Sequence, residues 1–113
     1  MKEIKAIIQP FMLEKVLEAL DAMEGLPGLT VSEVRGWGRS RAANAKNTSE
    51  IAGHAFAPKT KIEIVVGDEL ADKVIDVIVG SARTGHVGDG KVFVQEIVDA
   101  VRISTGARGD QAL

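Results

Sequence analysis

The chain has no cysteine and no tyrosine, and only one tryptophan, three phenylalanines and two histidines among 113 residues. Without cysteine there are no disulfides, no thiolate nucleophile and no cysteine–zinc site. Two histidines leave too few ligands for a histidine-based metal centre, so no metal site is expected. There is no surplus of either charge: 14 basic residues face 16 acidic ones, for a net charge of −2. A nucleic-acid binder usually carries a basic excess, and no nucleic-acid partner is expected. An RNA-reading sheet would also need a set of stacking aromatics, and Phe93 alone is a poor platform. No apolar run approaches the ~20 residues that span a bilayer. The opening MKEIKAIIQP has no long apolar stretch and carries Glu3, so neither a signal peptide nor membrane insertion is expected, and the expected location is cytoplasmic.

The composition that remains is that of an ordinary globular protein, 45% hydrophobic and 27% charged. Residues 1–113 read as a single domain. A core of this size is modest and 12 glycines weaken it further, so association with further copies would help. Lys2–Gln9 alternates as a strand, with Ile4, Ala6 and Ile8 on one face and Ile7 on the other. Leu13, Val16, Leu17 and Leu20 fall at helical spacing, and Gly25, Pro27 and Gly28 stop that helix. Leu29–Trp37 reads as a second strand and Thr60–Gly67 as a third. The helical spacing of Leu70, Val74, Ile75 and Ile78 predicts a second helix from Asp68 to near Ala82. Val92–Ile97 reads as a fourth strand, Val98–Ser104 as a short extension, and GARGDQAL as a mobile polar tail. Between the second and third strands, residues 39–58 follow no period. A connection of that length is unusual in a compact domain and is expected to be a functional loop.

The order is β-α-β, loop, β-α-β, and KEIKAIIQ and EKVLEALDAM match KTKIEIVV and DKVIDVIVGS in kind. Two such units predict an α+β fold, a ferredoxin-like double βαβ sandwich with both helices on one sheet face. Ile7, Val65 and Phe93 would make the other face apolar, which signals an interface.

The most chemical stretch is Thr84–Lys91, TGHVGDGK. Its three glycines allow backbone N–H groups to approach an anion, and Lys91 adds a positive charge. The spacing fits G-x-x-x-x-G-K, but a P-loop continues with Ser or Thr and a helix. Here Val92 opens a strand, which rejects a P-loop NTPase. The alternative is a glycine-rich turn with a solvated lysine. Arg83 and Arg102 flank this region and suit phosphate oxygens, although either could be a surface arginine. His86 could touch phosphate or simply be exposed. Asp89, between glycines, more often caps a turn than catalyses. No Ser-His-Asp arrangement or paired-carboxylate cleft is suggested, and no catalytic residue is expected.

The stretches MKEIKAIIQPFMLEKVLEAL, LTVSEVRGWGR, PKTKIEIVV, ARTGHVGDGKVFV and VRISTG, in this order and spacing, resemble the PII signal-transduction (nitrogen regulatory) family over nearly the whole chain. The resemblance implies a compact homotrimer that binds adenine nucleotide (ATP, ADP or AMP) in clefts between subunits. Gly88, Asp89, Gly90 and Lys91 would cradle phosphates, and Arg102 would bind them. The Thr30 hydroxyl would read adenine, helped by backbone near Val65. Gly38 and Arg39 would meet the phosphates at the base of a long arm, the T-loop, spanning about 39–58. Through Arg39–Pro58 the protein would dock onto a target, a transporter or an enzyme.

Four departures from the family pattern carry expectations. The R-I-R run of the family is Arg102-Ile103-Ser104 here. One charge-assisted contact, worth ~1.5–3 kcal/mol, is missing, which predicts a shift from ATP toward ADP or AMP. Ser40 stands where nitrogen-sensing members have a glutamine that helps hold magnesium and 2-oxoglutarate, while Lys59, which would meet the 2-oxoglutarate carboxylate, is kept. Weak 2-oxoglutarate binding is expected, and the need for magnesium stays open. Ala52 replaces the tyrosine that is nucleotidylated in some relatives, and Glu50 the serine phosphorylated in others. These changes also fit a divergent branch serving metal efflux or bicarbonate uptake, for which His54 is the one pointer; a weak ATPase using the same cleft is the other alternative, and the changes at Ser40 and Ser104 and the lack of an evident base count against it.

Overall fold

The structure, a computed structural model, describes residues 1–38, 49–51 and 54–113, and the side chains of 1–38 and 55–113. The expectations at Arg39, Ser40 and Ala52, and those for the Glu50 and His54 side chains, lie outside what is described.

Five strands and two α-helices are present among these residues: β1 (Lys2–Ile8), α1 (Leu13–Asp21), β2 (Thr30–Gly36), β3 (Ser49–Ile51), β4 (His54–Val66), α2 (Asp68–Ala82) and β5 (Gly90–Glu96). The sheet is antiparallel in the order β2-β4-β1-β5, with β3 paired to the outer part of β4. This is the expected α+β arrangement. Pro10, without an N–H to give, ends β1 and opens a single 3-10 turn, Pro10–Met12. Asp68 and Glu69 place negative charge in the first turn of α2, where Asp68 also pairs with the Met1 amine at 3.0 Å.

Register decides which residues form the core. Ile4 stands opposite Ile64, and Ala6 opposite Ile62. With Ile8 and Val66 they line one face under Val16 and Leu20 of α1 and Val74 and Ile78 of α2, all essentially inaccessible. The alternation in β1 therefore predicts its buried face correctly.

The other face departs from expectation. Ile7, Val65 and Phe93 are on it, but so are Glu3, Lys5, Lys61, Glu63 and Lys91, because register partners share a face. Lys61 lies 3.4 Å from Glu63. The face is a mixture of ion pairs and apolar side chains, not an apolar surface. Ile7, Val65 and Phe93 lie one to a strand, and their register partners Lys61, Glu3 and Lys5 are charged.

Three further expectations are corrected. The 39–58 stretch is not loop throughout, because β4 begins at His54 and β3 runs antiparallel to it, pairing Ser49 with Phe56. Beyond the core a strand needs only its backbone ladder, here to Gly36 and Arg35 of β2 as well, so no apolar alternation reveals it. The fourth strand starts at Gly90, not Val92. The C-terminal region is neither a strand extension nor a loose tail. A bridge joins Val101 to Arg108, and Gly109–Ala112 forms a 3-10 turn. Asp99 holds this return in place: its Oδ2 accepts from Arg108 Nε at 2.9 Å and its Oδ1 from Gly109 N–H at 3.2 Å. The Arg108 guanidinium beside it holds the Asp99 carboxyl below the usual carboxylate range.

Candidate functional site

The candidate residues gather at two places on the sheet. Thr30, Val65 and Arg102 line one cleft of about 430 Å3 with Gly28, Glu3 and Glu63. Thr30 and Glu63 are register partners on β2 and β4, and Val65 is two residues further along the same face of β4. Ala112 and Leu113 close the cleft from the C-terminal side, where Arg102 Nη2 donates to the Leu113 carbonyl at 3.0 Å. Two carboxylates and a hydroxyl supply acceptors here for a ligand group carrying N–H donors, and Arg102 adds a guanidinium to the lining.

The second gathering lies about 20 Å along β4, six residues from Val65 at ~3.4 Å each. Lys59 Nζ donates to the Gly88 carbonyl at 2.9 Å, tying β4 to the glycine-rich turn. Burial pulls the Lys59 ammonium below its ordinary range, and the nearby Asp89 carboxylate offsets part of that effect. Gly88 and Gly90 both have positive φ, +95° and +107°. A Cβ on Gly90 would sit 1.7 Å from the Ile7 carbonyl oxygen, so only glycine lets β5 join β1 at this point. Lys91, opposite Ile7, is exposed, and its ammonium has no ion-pair or hydrogen-bond partner among the described residues. Gly38 is exposed just past the end of β2, the end that pairs with β4 beside Lys59.

Asp89 has a different part from its neighbours. Its carboxylate accepts the Thr84 hydroxyl, the Thr84 N–H at 2.8 Å and the Gly85 N–H at 3.0 Å. These bonds, the Thr84 hydroxyl foremost, hold its pKa below the usual carboxylate range. The side chain shapes the turn, as its place between two glycines suggests, and a negative group held this way does not itself attract phosphate. His86 stays exposed, its Nδ1 3.3 Å from the Thr84 hydroxyl. Arg83 is exposed just before the turn.

The sequence reading missed Glu3, Glu63 and the C-terminal wall. Glu63 was within reach of alternation, since it shares a strand face with Val65. The return of residues 109–113 has no local signal, because it depends on the Asp99–Arg108 pair. No group of three metal-ligating side chains occurs among the described residues, and none of the helices described is long and apolar enough to cross a membrane.

Comparison with known proteins covers the same ground. The family model for nitrogen regulatory protein P-II matches residues 1–107. Nitrogen regulatory protein P-II of Rhizobium etli is 48% identical over 113 residues, covering all of both chains. The P-II protein of Rhodospirillum rubrum and P-II 1 of Escherichia coli K12 are each 45% identical, again over the whole of both chains. On a match of this extent to the family and to full-length relatives, the chain belongs to the nitrogen regulatory protein P-II family.

Proposed function

We propose that this chain is a nucleotide-responsive regulator, not an enzyme, that acts as a homotrimer in the cytoplasm. It binds adenine nucleotide between copies and controls a target protein, a transporter or an enzyme of nitrogen regulation, through residues 39–58. One observation carries the reading: the candidate residues divide into two half-sites about 20 Å apart on one sheet. The Thr30–Val65 cleft offers acceptors for a base. The Gly88–Lys91 turn offers positive-φ glycines and an unpaired ammonium for phosphates. Neither half is complete alone, and a second copy of the chain presenting its turn to this cleft completes both. Arg102, at the base end, then stands where a neighbour's phosphates arrive.

β2 ends at Gly36, and β4 returns beside it to Lys59, whose ammonium is bonded to the Gly88 carbonyl. Phosphate drawn into the turn is a second acceptor for the Lys59 ammonium, in competition with the Gly88 carbonyl. Occupancy therefore biases the conformation at the root of the arm, and a partner reads that bias as a population shift. Ser104 removes one charged contact, so ADP and AMP gain relative to ATP. Isothermal titration with the three nucleotides tests this: ADP or AMP should bind at least as tightly as ATP, and clearly tighter ATP would refute the preference. Lys91→Ala should weaken ADP by about tenfold or more, the loss of one charge-assisted contact.

A further inference from the structure

A second cleft, of about 340 Å3, lies on the helix side of the sheet, away from both half-sites. Its floor is two register pairs of β2 and β4, Glu33 with Thr60 and Arg35 with Pro58. Partners in register share a face, and Thr60 is buried on the same face as Ile62 and Ile64. Pro10 borders this floor where the chain leaves β1 for the helix layer. Val34 and Lys59 also border the cleft, but alternation turns their side chains to the opposite face. The Lys59 ammonium is given to the Gly88 carbonyl. The charged groups on this face of the cleft are therefore one carboxylate and one guanidinium.

Glu33 and Arg35 stand two residues apart on one strand, ~6.8 Å along it. Both are exposed. Neither the Glu33 carboxylate nor the Arg35 guanidinium has an ion-pair or hydrogen-bond partner among the described residues, each other included. A carboxylate accepts from an ammonium, and a guanidinium donates its fork to a carboxylate. The two prolines add apolar surface between them. A volume near the low end of the ~300–1,000 Å3 of small-molecule sites suits a small metabolite.

We propose that this cleft binds a free α-amino acid. Glu33 accepts from its ammonium, Arg35 donates to its carboxylate, and an uncharged side chain lies against Pro10 and Pro58. One molecule thus supplies both missing partners at once. The Arg35–Pro58 pair is one short of the end of the β2–β4 ladder, so an occupant braces the sheet there. The proposal needs no nucleotide.

The test is titration of the common L-amino acids into the full chain without nucleotide, followed by amide NMR. The tightest binder is then repeated as its N-acetyl and methyl-ester forms, each lacking one charge. An amino acid with an uncharged side chain should shift the Glu33, Arg35 and Thr60 amides. Each blocked form should bind about tenfold more weakly or worse, the loss of one charge-assisted contact. Glu33→Gln and Arg35→Gln should each weaken the free amino acid by the same factor. Both replace exposed side chains, and an unchanged melting curve shows that the fold is intact. If no amino acid binds, or if the two variants bind as the native chain does, the proposal is wrong. If the N-acetyl form binds as well as the free one, the cleft is an anion site and the proposal fails equally. Nucleotide titrations leave this result untouched, so the two readings fail separately.

Discussion

At Gly90 a single hydrogen atom decides whether two strands meet. Any larger residue would drive Cβ into the Ile7 carbonyl and would also hold a φ of +107° that side chains avoid. Gly90→Ala should cost about 3 kcal/mol or more, combining backbone strain and displacement of the β1–β5 ladder. Gly80, in the exposed part of α2, has nothing within 4 Å of the same position. Gly80→Ala should stabilise by ~0.5–1 kcal/mol, because it removes only chain entropy and poor helix propensity. Urea unfolding of the pair checks both signs, and equal effects would contradict the geometry. The residue count itself singles out neither glycine. Flexibility and close approach are written with the same letter, and the difference lies in what stands opposite.

Among the elements, the 84–89 turn is organised by one carboxylate. The folded state lowers the Asp89 pKa, so its contribution is complete above the ordinary aspartate value of about 3.9 and is lost as pH falls through the folded value. Below about pH 4 the Thr84 and Gly85 amides should therefore lose protection relative to their intrinsic exchange rates, ahead of amides in the sheet core, and Asp89→Asn should show weaker protection already at neutral pH. Hydrogen exchange followed by NMR reports this, and protection that is uniform down to pH 2 would count against it. The elements differ in how far they could be read. β1 and both helices bury a stripe, so Ile4, Ala6 and Ile8, or Val74 and Ile78, announce their period. The outer half of β4, from His54 to Pro58, buries none and is written in small and polar residues. The turn at Thr84 was legible as a glycine-rich turn with Asp89 as its cap, but the groups that the carboxylate accepts were not, since three bonds close over five residues.

For the whole molecule, the open sheet face is where the proposed trimer meets its test. Phe93 is 53% exposed there among Lys5, Lys61 and Lys91, so the isolated chain does not depend on it. Phe93→Asp should leave the far-ultraviolet circular dichroism intact while light scattering moves from three copies toward one, with nucleotide binding lost alongside. Retention of the trimer would exclude that face as the contact. The same scale limits how much of the site was legible. Thr30, Val65 and Arg102 were named from the chain and share a cleft, and Gly88, Gly90 and Lys91 share a turn. Their separation into two halves belongs to the path of the chain across the sheet, and no single motif contains it.

β4 touches every part of this arrangement. Its 13 residues rise about 40 Å at ~3.3 Å each, from the β3 hairpin, past Lys59 at the glycine turn, to Glu63 and Val65 in the cleft. A strand buried on one face cannot slip by one residue without turning its core side chains outward. A load applied at the hairpin therefore reaches the cleft as twist or bend and not as sliding. β4 is a stiff shaft with the hairpin at one end and the cleft at the other, and the Lys59 ammonium is its bearing on the turn.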